Sequence, residues 1–238
     1  MIPIALAQTA GFEVASIKPS APEARGFAVI PSAGGRLTMK NCSLKRLLAL
    51  SYHLQDFQVS GGPKWMDADR YDIVAKAEGN QNLTEHQLLE LLRPVLAERF
   101  QVAFHRETKE LPRYLLVPGK GGSKLTEVKA DGAPQLEVRN RRLITARRAP
   151  LSQLVEMLSW VLGRAVVDQT GLKGVYDFKL EWTPDDLQPS EAGGASGSPE
   201  GGNSLFAAIQ EQLGLRLDPQ KGPVEMLVVE KAEKPAEN

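Results

Sequence analysis

Apolar and polar residues alternate from Phe12 to Lys18, which predicts an opening strand stopped by Pro19. Phe27–Ile30 and Arg36–Lys40 flank Pro31-Ser-Ala-Gly-Gly, whose glycines supply positive φ, so a hairpin is expected there. The period then lengthens. Leu44, Leu47, Leu48 and Leu54 share one helical stripe behind Ser43, a natural N-cap. Short strands follow near 57–60 and at 71–76, the latter opening on Tyr71-Asp72. Thr84 with Gln87 three residues later forms a capping-box pattern, and Pro94 interrupts the helix it starts. A half-helix over 84–92, kinked against 94–100, is therefore expected.

The same order of signals returns about a hundred residues later. Leu143-Ile-Thr-Ala-Arg-Arg-Ala-Pro is followed by Leu151, Leu154, Val155, Leu158 and Leu162 on a second stripe, closed by Gly163 as a left-handed cap. A strand at 165–168 and another at 176–182, opening on Tyr176-Asp177, complete the correspondence. Leu92, Leu96, Phe100, Val102, Phe104 and Leu115-Leu116 match Leu205, Ile209, Leu213, Leu215, Leu217 and Val228-Val229 without a gap. A period this long implies two copies of a small domain, not a solenoid. The expected fold class is α+β, a tandem duplication of a two-helix module with mixed sheets in βαβ-type units.

The boundaries follow from composition. Residues 1–11 read as a signal-peptide remnant or disordered start, 12–118 as module one, 119–140 as a linker and 141–234 as module two. Within module two, 183–203 with Gly193-Gly-Ala-Ser-Gly-Ser-Pro reads as a flexible insertion. The core is expected to rest on Leu47, Leu48, Phe100, Leu154, Val155 and Leu213.

Charge narrows the function classes. The 29 basic and 29 acidic residues cancel, with 14 against 12 in residues 1–118 and 15 against 17 in the remainder. A polyanion binder carries a basic excess or stripe, so nucleic acid is disfavoured as a partner. Cys42 is the sole cysteine, which excludes an internal disulfide and a cysteine-built zinc site. Its place at a helix start suits a small buried side chain, with a reactive thiol as the alternative. Ala5-x-Ala7 before Gln8, after an apolar start, fits a signal-peptidase site, so export to the periplasm or the exterior is expected. No stretch approaches the roughly eighteen to twenty apolar residues of a membrane span.

Candidate chemistry is sparse. Asp168-Gln-Thr-Gly171 resembles an aspartic-protease loop with one residue too many, and its counterpart Ser60-Gly-Gly-Pro carries no acid. That chemistry needs two carboxylates sharing a proton, so an Asx-type turn is the better reading. Gly119-Lys-Gly-Gly-Ser-Lys fails the P-loop spacing, and His53, His86 and His105 fall in no recognised metal motif. No Gly-x-Ser-x-Gly elbow is present. Arg139, Arg141, Arg142, Arg147 and Arg148 crowd the start of module two, either an anionic-partner site or a solvated strand face. Tyr71, Asp72, Tyr176 and Asp177 form the only polar pair present in both copies, which points to folding before chemistry. No catalytic, cofactor-binding or metal-binding residue is assigned.

Phe12-Glu-Val-Ala-Ser-Ile-Lys-Pro, Leu96-Ala-Glu-Arg-Phe with His105-Arg-Glu-Thr-Lys-Glu-Leu-Pro, and Val167-Asp-Gln-Thr-Gly-Leu-Lys-Gly-x-Tyr-Asp-Phe resemble a soil-associated, secreted acidobacterial family of unknown function. That resemblance implies export. Each module is also similar in outline to the short N-terminal domain of secretins and TonB-dependent transducers, through Leu151 to Leu158, Val166-Val167 and Leu213-Gly214-Leu215. Copy one departs from the outline at Arg99-Phe100. The similarity implies docking to other proteins. The expected function is a non-enzymatic, exported binding or protein-interaction module of the cell envelope, without cofactor. The alternative is an envelope hydrolase or small-ligand sensor with its site between the modules.

Overall fold

A computed structural model describes residues 11–80, 83–139, 142–183 and 204–235. In chain order they form β1 (Phe12–Pro19), β2 (Ala28–Ser32), β3 (Arg36–Cys42), α1 (Leu44–Ser51), β4 (Val59–Gly61), α2 (Trp65–Ala68) and β5 (Tyr71–Ala77). There follow α3 (Glu85–Glu90), α4 (Leu92–Arg99), β6 (Ala103–Pro118), β7 (Thr126–Val128), β8 (Gln135–Arg139) and β9 (Leu143–Pro150). Then come α5 (Leu151–Leu162), β10 (Val166–Asp168), β11 (Val175–Glu181), α6 (Leu205–Ala208) and β12 (Leu215–Lys231). The fold is α+β with mixed sheets. The chain divides into two compact units, 1–109 with 225–238, and 110–224. The division falls inside β6 and inside β12.

Unit 1 is built on an antiparallel sheet of order β1-β5-β3-β2. Its inner face carries Ile17, Leu37, Met39, Ile73 and Ala75, which join Leu44, Leu47, Leu48, Leu88, Leu92, Leu96 and Phe100 in one core. The Ser43 hydroxyl accepts the Arg46 N–H at 3.2 Å and starts α1. Thr84 and Gln87 exchange the two bonds of a capping box, at 3.3 and 2.9 Å, and start α3. The helix breaks at Leu91, so Pro94 falls in the first turn of α4, where its missing N–H has no partner to lose. β4 pairs parallel with the end of β12, Val59 opposite Leu227 and Gly61 opposite Val229.

Unit 2 is built on an antiparallel sheet of order β7-β11-β9-β8. Ile144, Ala146, Phe178 and Leu180 pack with Leu151, Leu154, Leu158, Ile209 and Leu213. Gly163, at φ 60°, closes α5, and Ser204 caps α6. A π-type turn, Ile209–Leu213, prolongs α6 to Gly214. β10 pairs parallel with β6, Val166 opposite Tyr114 and Asp168 opposite Leu116.

Several expectations change here. Residues 119–140 contain β7 and β8, the outer strands of the second sheet, because Leu136 and Val138 have a core to face. α1 joins strands of two different sheets, as does α5, so neither is a crossover between parallel neighbours. Val155 is only half-buried, whereas Leu47, Phe100 and Leu154 are fully buried and Leu48 and Leu213 nearly so. Leu54 lies beyond α1. Residues 1–10, Arg141 and all of the 183–203 insertion after Thr183 lie outside the described residues.

Candidate functional site

The Tyr-Asp pairs occupy the same place in each unit. In unit 1 two residues of β3, Lys40 and Asn41, stand against the single Asp72 of β5, a β-bulge between Met39 and Cys42. Asn41 takes φ 55°, and its N–H donates to the Asp72 carboxylate at 2.9 Å. The Ser20 hydroxyl donates to the same oxygen at 2.5 Å. These two bonds, Ser20 foremost, hold the Asp72 carboxyl below its ordinary range. Tyr71, opposite Cys42, is buried with its ring edge-on to Phe100 at 5.0 Å.

In unit 2 Arg147 and Arg148 of β9 stand against Asp177, between Tyr176 and Phe178. Arg148 takes φ 49°, and its N–H donates to Asp177 at 2.7 Å. Tyr176, opposite Ala149, is buried, and its hydroxyl accepts the Gly174 N–H at 3.2 Å. Each Asp fixes a left-handed residue that turns a strand into the following helix. A left-handed non-glycine backbone needs such a fastening.

Arg139, Arg142, Arg147 and Arg148, the described members of the arginine set, do not converge. Arg139, on edge strand β8, reaches Glu137 of its own strand through two bonds, at 2.7 and 3.0 Å. That contact lowers the Glu137 carboxyl and raises Arg139. Arg142 sits in the turn before β9, its N–H on the Arg139 carbonyl at 3.0 Å. Arg147 is exposed opposite Gln135. Arg148 folds its guanidinium onto Gly132 and the Ala133 carbonyl, the latter at 3.4 Å.

The outer face of the unit 1 sheet has a different character. Strand register places Ser16, Val74, Thr38 and Ile30 in one row across four strands. Val14, Lys76, Arg36 and Ser32 form the next row, and Lys18, Asp72, Lys40 and Ala28 the third. Val14 is 59% exposed, Val74 57% and Ile30 45%. Four cations border these apolar side chains, and the single acid among the twelve positions is the already engaged Asp72. The Lys76 ammonium pairs with Glu13 at 3.2 Å, and Lys40 lies near enough to Asp72 to help hold its carboxyl down. Sequence carried a signal for this face: Val29-Ile30 and Ile73-Val74 put apolar residues at successive strand positions, so one of each pair must point outward.

The other candidates resolve into structure. Asp168 accepts the Thr170 N–H and hydroxyl, each at 2.8 Å, and makes the expected Asx turn. Cys42 is 1% exposed, and burial pushes its thiol up to about 11, so it is not a reactive thiolate. His53 lies past the end of α1 at φ 56°, stacked on His86 and 3.2 Å from Glu90. His105 pairs with Glu230 at 2.8 Å. Among the described residues no cluster of three or more His, Cys, Asp or Glu is arranged to hold a metal ion, and no helix is long and apolar enough to cross a membrane.

No curated protein and no solved structure matches this chain. Residues 45–232 match the family described as "Protein of unknown function (DUF3738)", and the chain belongs to that family.

Proposed function

We propose that this family member is an exported, non-enzymatic interaction module of the cell envelope, built by tandem duplication, that docks an acidic protein on the open sheet face of unit 1. The observation that carries the docking reading is the row of Val74 and Ile30 with Val14 beside it, exposed across four strands and bordered by Lys18, Arg36, Lys40 and Lys76. Exposed apolar side chains gathered on one sheet face mark interaction surfaces. The cations select the partner's charge and steer its approach. Export is supported by the Ala5-x-Ala7 pattern before Gln8.

Duplication is supported by four coincidences of detail. The bulge falls at the same step in both sheets, Tyr71 faces Cys42 as Tyr176 faces Ala149, and each helix start follows directly. The short strands β4 and β10 both pair parallel with three residues at matching places in β12 and β6. On this reading, modules 12–118 and 141–234 each contribute the end of their last strand to the other copy's unit.

The test is co-purification from envelope fractions with tagged wild type, Val74→Glu/Ile30→Glu and Thr145→Glu. The expected result is an acidic protein retained by wild type and Thr145→Glu and lost with the double variant. Retention by all three overturns the docking reading.

A further inference from the structure

Next to the open face, the described residues of unit 1 enclose a cleft of about 980 Å³. Its walls are the end of β1, the loop that follows to Arg25, Asn41 at the bulge, the segment Ala68–Tyr71 and, from the end of the chain, Lys234 and Pro235. Four cations line it: Lys18, Arg25, Arg70 and Lys234. The one acidic lining residue, Asp69, is taken by Lys234 at 2.6 Å. Arg70 spends one N–H on the Asp67 carbonyl at 2.7 Å, and Arg25 one on the Ala24 carbonyl at 3.4 Å. A guanidinium has five N–H donors, so both keep most of theirs. Asp72, bonded through one carboxylate oxygen to Ser20 and Asn41, is not among the residues that line the cleft.

Between the cations the wall is apolar, with Ile17, Pro19, Pro22 and Ala68. Tyr71 closes one side; burial raises its phenol, which stays a neutral O–H donor. The volume lies near the top of the usual ligand-pocket range of roughly 300–1,000 Å³, too large for a bare ion. Donors in excess over acceptors, around an apolar wall, fit a molecule with an oxyanion at one end and an apolar body. Arginine pairs favour planar, bidentate oxyanions.

Unit 2 supplies an internal comparison. There the bulge position of Asn41 is held by Arg148, whose guanidinium lies on Gly132 and the Ala133 carbonyl. Where unit 2 sends its own cation inward from the bulge, unit 1 has a short side chain and an open cleft.

We infer that the cleft bounded by Lys18, Arg25, Asn41 and Arg70 is a binding site for a small organic oxyanion, a carboxylate or a phosphate monoester with an apolar body. The site stands on residues separate from Val74 and Ile30, so it does not depend on the docking reading. An ¹H–¹⁵N titration of the full chain tests it, with phenyl phosphate, benzoate, phenol and benzylamine as separate probes. Saturable shifts at Arg25, Asn41 and Arg70 are expected with phenyl phosphate, benzoate or both, which also tells a phosphate from a carboxylate ligand. Phenol and benzylamine should leave these signals in place. Arg25→Glu/Arg70→Glu, with a dispersed spectrum retained, should weaken binding about tenfold or more. Lys18→Glu is the second variant if the double one misfolds. Val74→Glu should leave the titration unchanged. Absence of saturation below about 10 mM, equal response to phenol, or undiminished binding in the charge reversals would overturn the site.

Discussion

Units 1 and 2 use one device, an aspartate that holds a left-handed bulge residue between a strand and a helix, yet they dress it differently. At the bulge, Asn41 leaves a cleft and Arg148 covers Gly132. On the outer sheet face, Val74 and Ile30 lie open in unit 1. The matching row of unit 2 reads Glu137, Thr145 and Lys179, and its charges answer one another, Arg139 with Glu137 at 2.7 Å and Lys179 with Glu181 at 2.8 Å. A self-paired polar face asks nothing of a partner. What the units share serves folding, and what separates them is where we propose that recognition lies.

The largest effect is expected from cutting the chain. Fragments 12–118 and 141–234 expressed apart would leave β4 without Leu227–Val229 and β10 without Tyr114–Leu116, uncovering cores that bury Leu227, Val229 and Leu116. Neither alone should unfold cooperatively, and mixing should restore a cooperative transition. Two independently folded fragments would break the comparison.

Next come core truncations. Phe100→Ala and Leu154→Ala should each cost about 2–5 kcal/mol in urea unfolding, and half-buried Val155 less. A large loss at Val155 with none at Leu154 would reverse the phase of α5.

Smaller again are the bulge clamps. Asp72→Asn should cost about 1–2 kcal/mol and Asp177→Asn less, because Asp72 serves two donors and Asp177 one. The Asp72 carboxyl is depressed below its ordinary value of 3.8, so its contribution is complete above that value and fades as pH falls through the lower folded one. The Asp72→Asn penalty should therefore shrink on acidification below about pH 4. A penalty that grows in acid would contradict the clamp. Val74→Glu should change stability by less than about 0.5 kcal/mol, since the side chain already faces water. Last, Cys42 should resist thiol reagents at pH 8 in the native protein and react once unfolded.

Local signals in the sequence foretold local structure well. Ser43, Thr84 with Gln87, Pro94 and Gly163 mark helix ends because caps and breaks act within a few residues. The β2–β3 hairpin was legible from its turn, but distant strand partners were not, because the pairing of Val59 with Leu227 spans most of the chain and leaves no trace in either segment. Strands β7 and β8 were hidden among the Gly, Lys and Asp residues of 119–140, having few apolar positions of their own. The Tyr-Asp pairs were visible as a recurrence, and their use as bulge clamps needed the register. The cleft gathers Lys18 and Arg25, Arg70, and Lys234 from three separated segments, so no motif announces it.

On the docking proposal, recognition belongs to unit 1, while unit 2 keeps only what folding requires. The most direct test places a photo-crosslinking amino acid at Val74 and, separately, at the matching strand position Lys179, in protein expressed in its native cells. A salt-sensitive adduct with an acidic protein from position 74, and none from 179, is expected. Equal adducts from both positions, or a self-adduct as the sole product at 74, would contradict it.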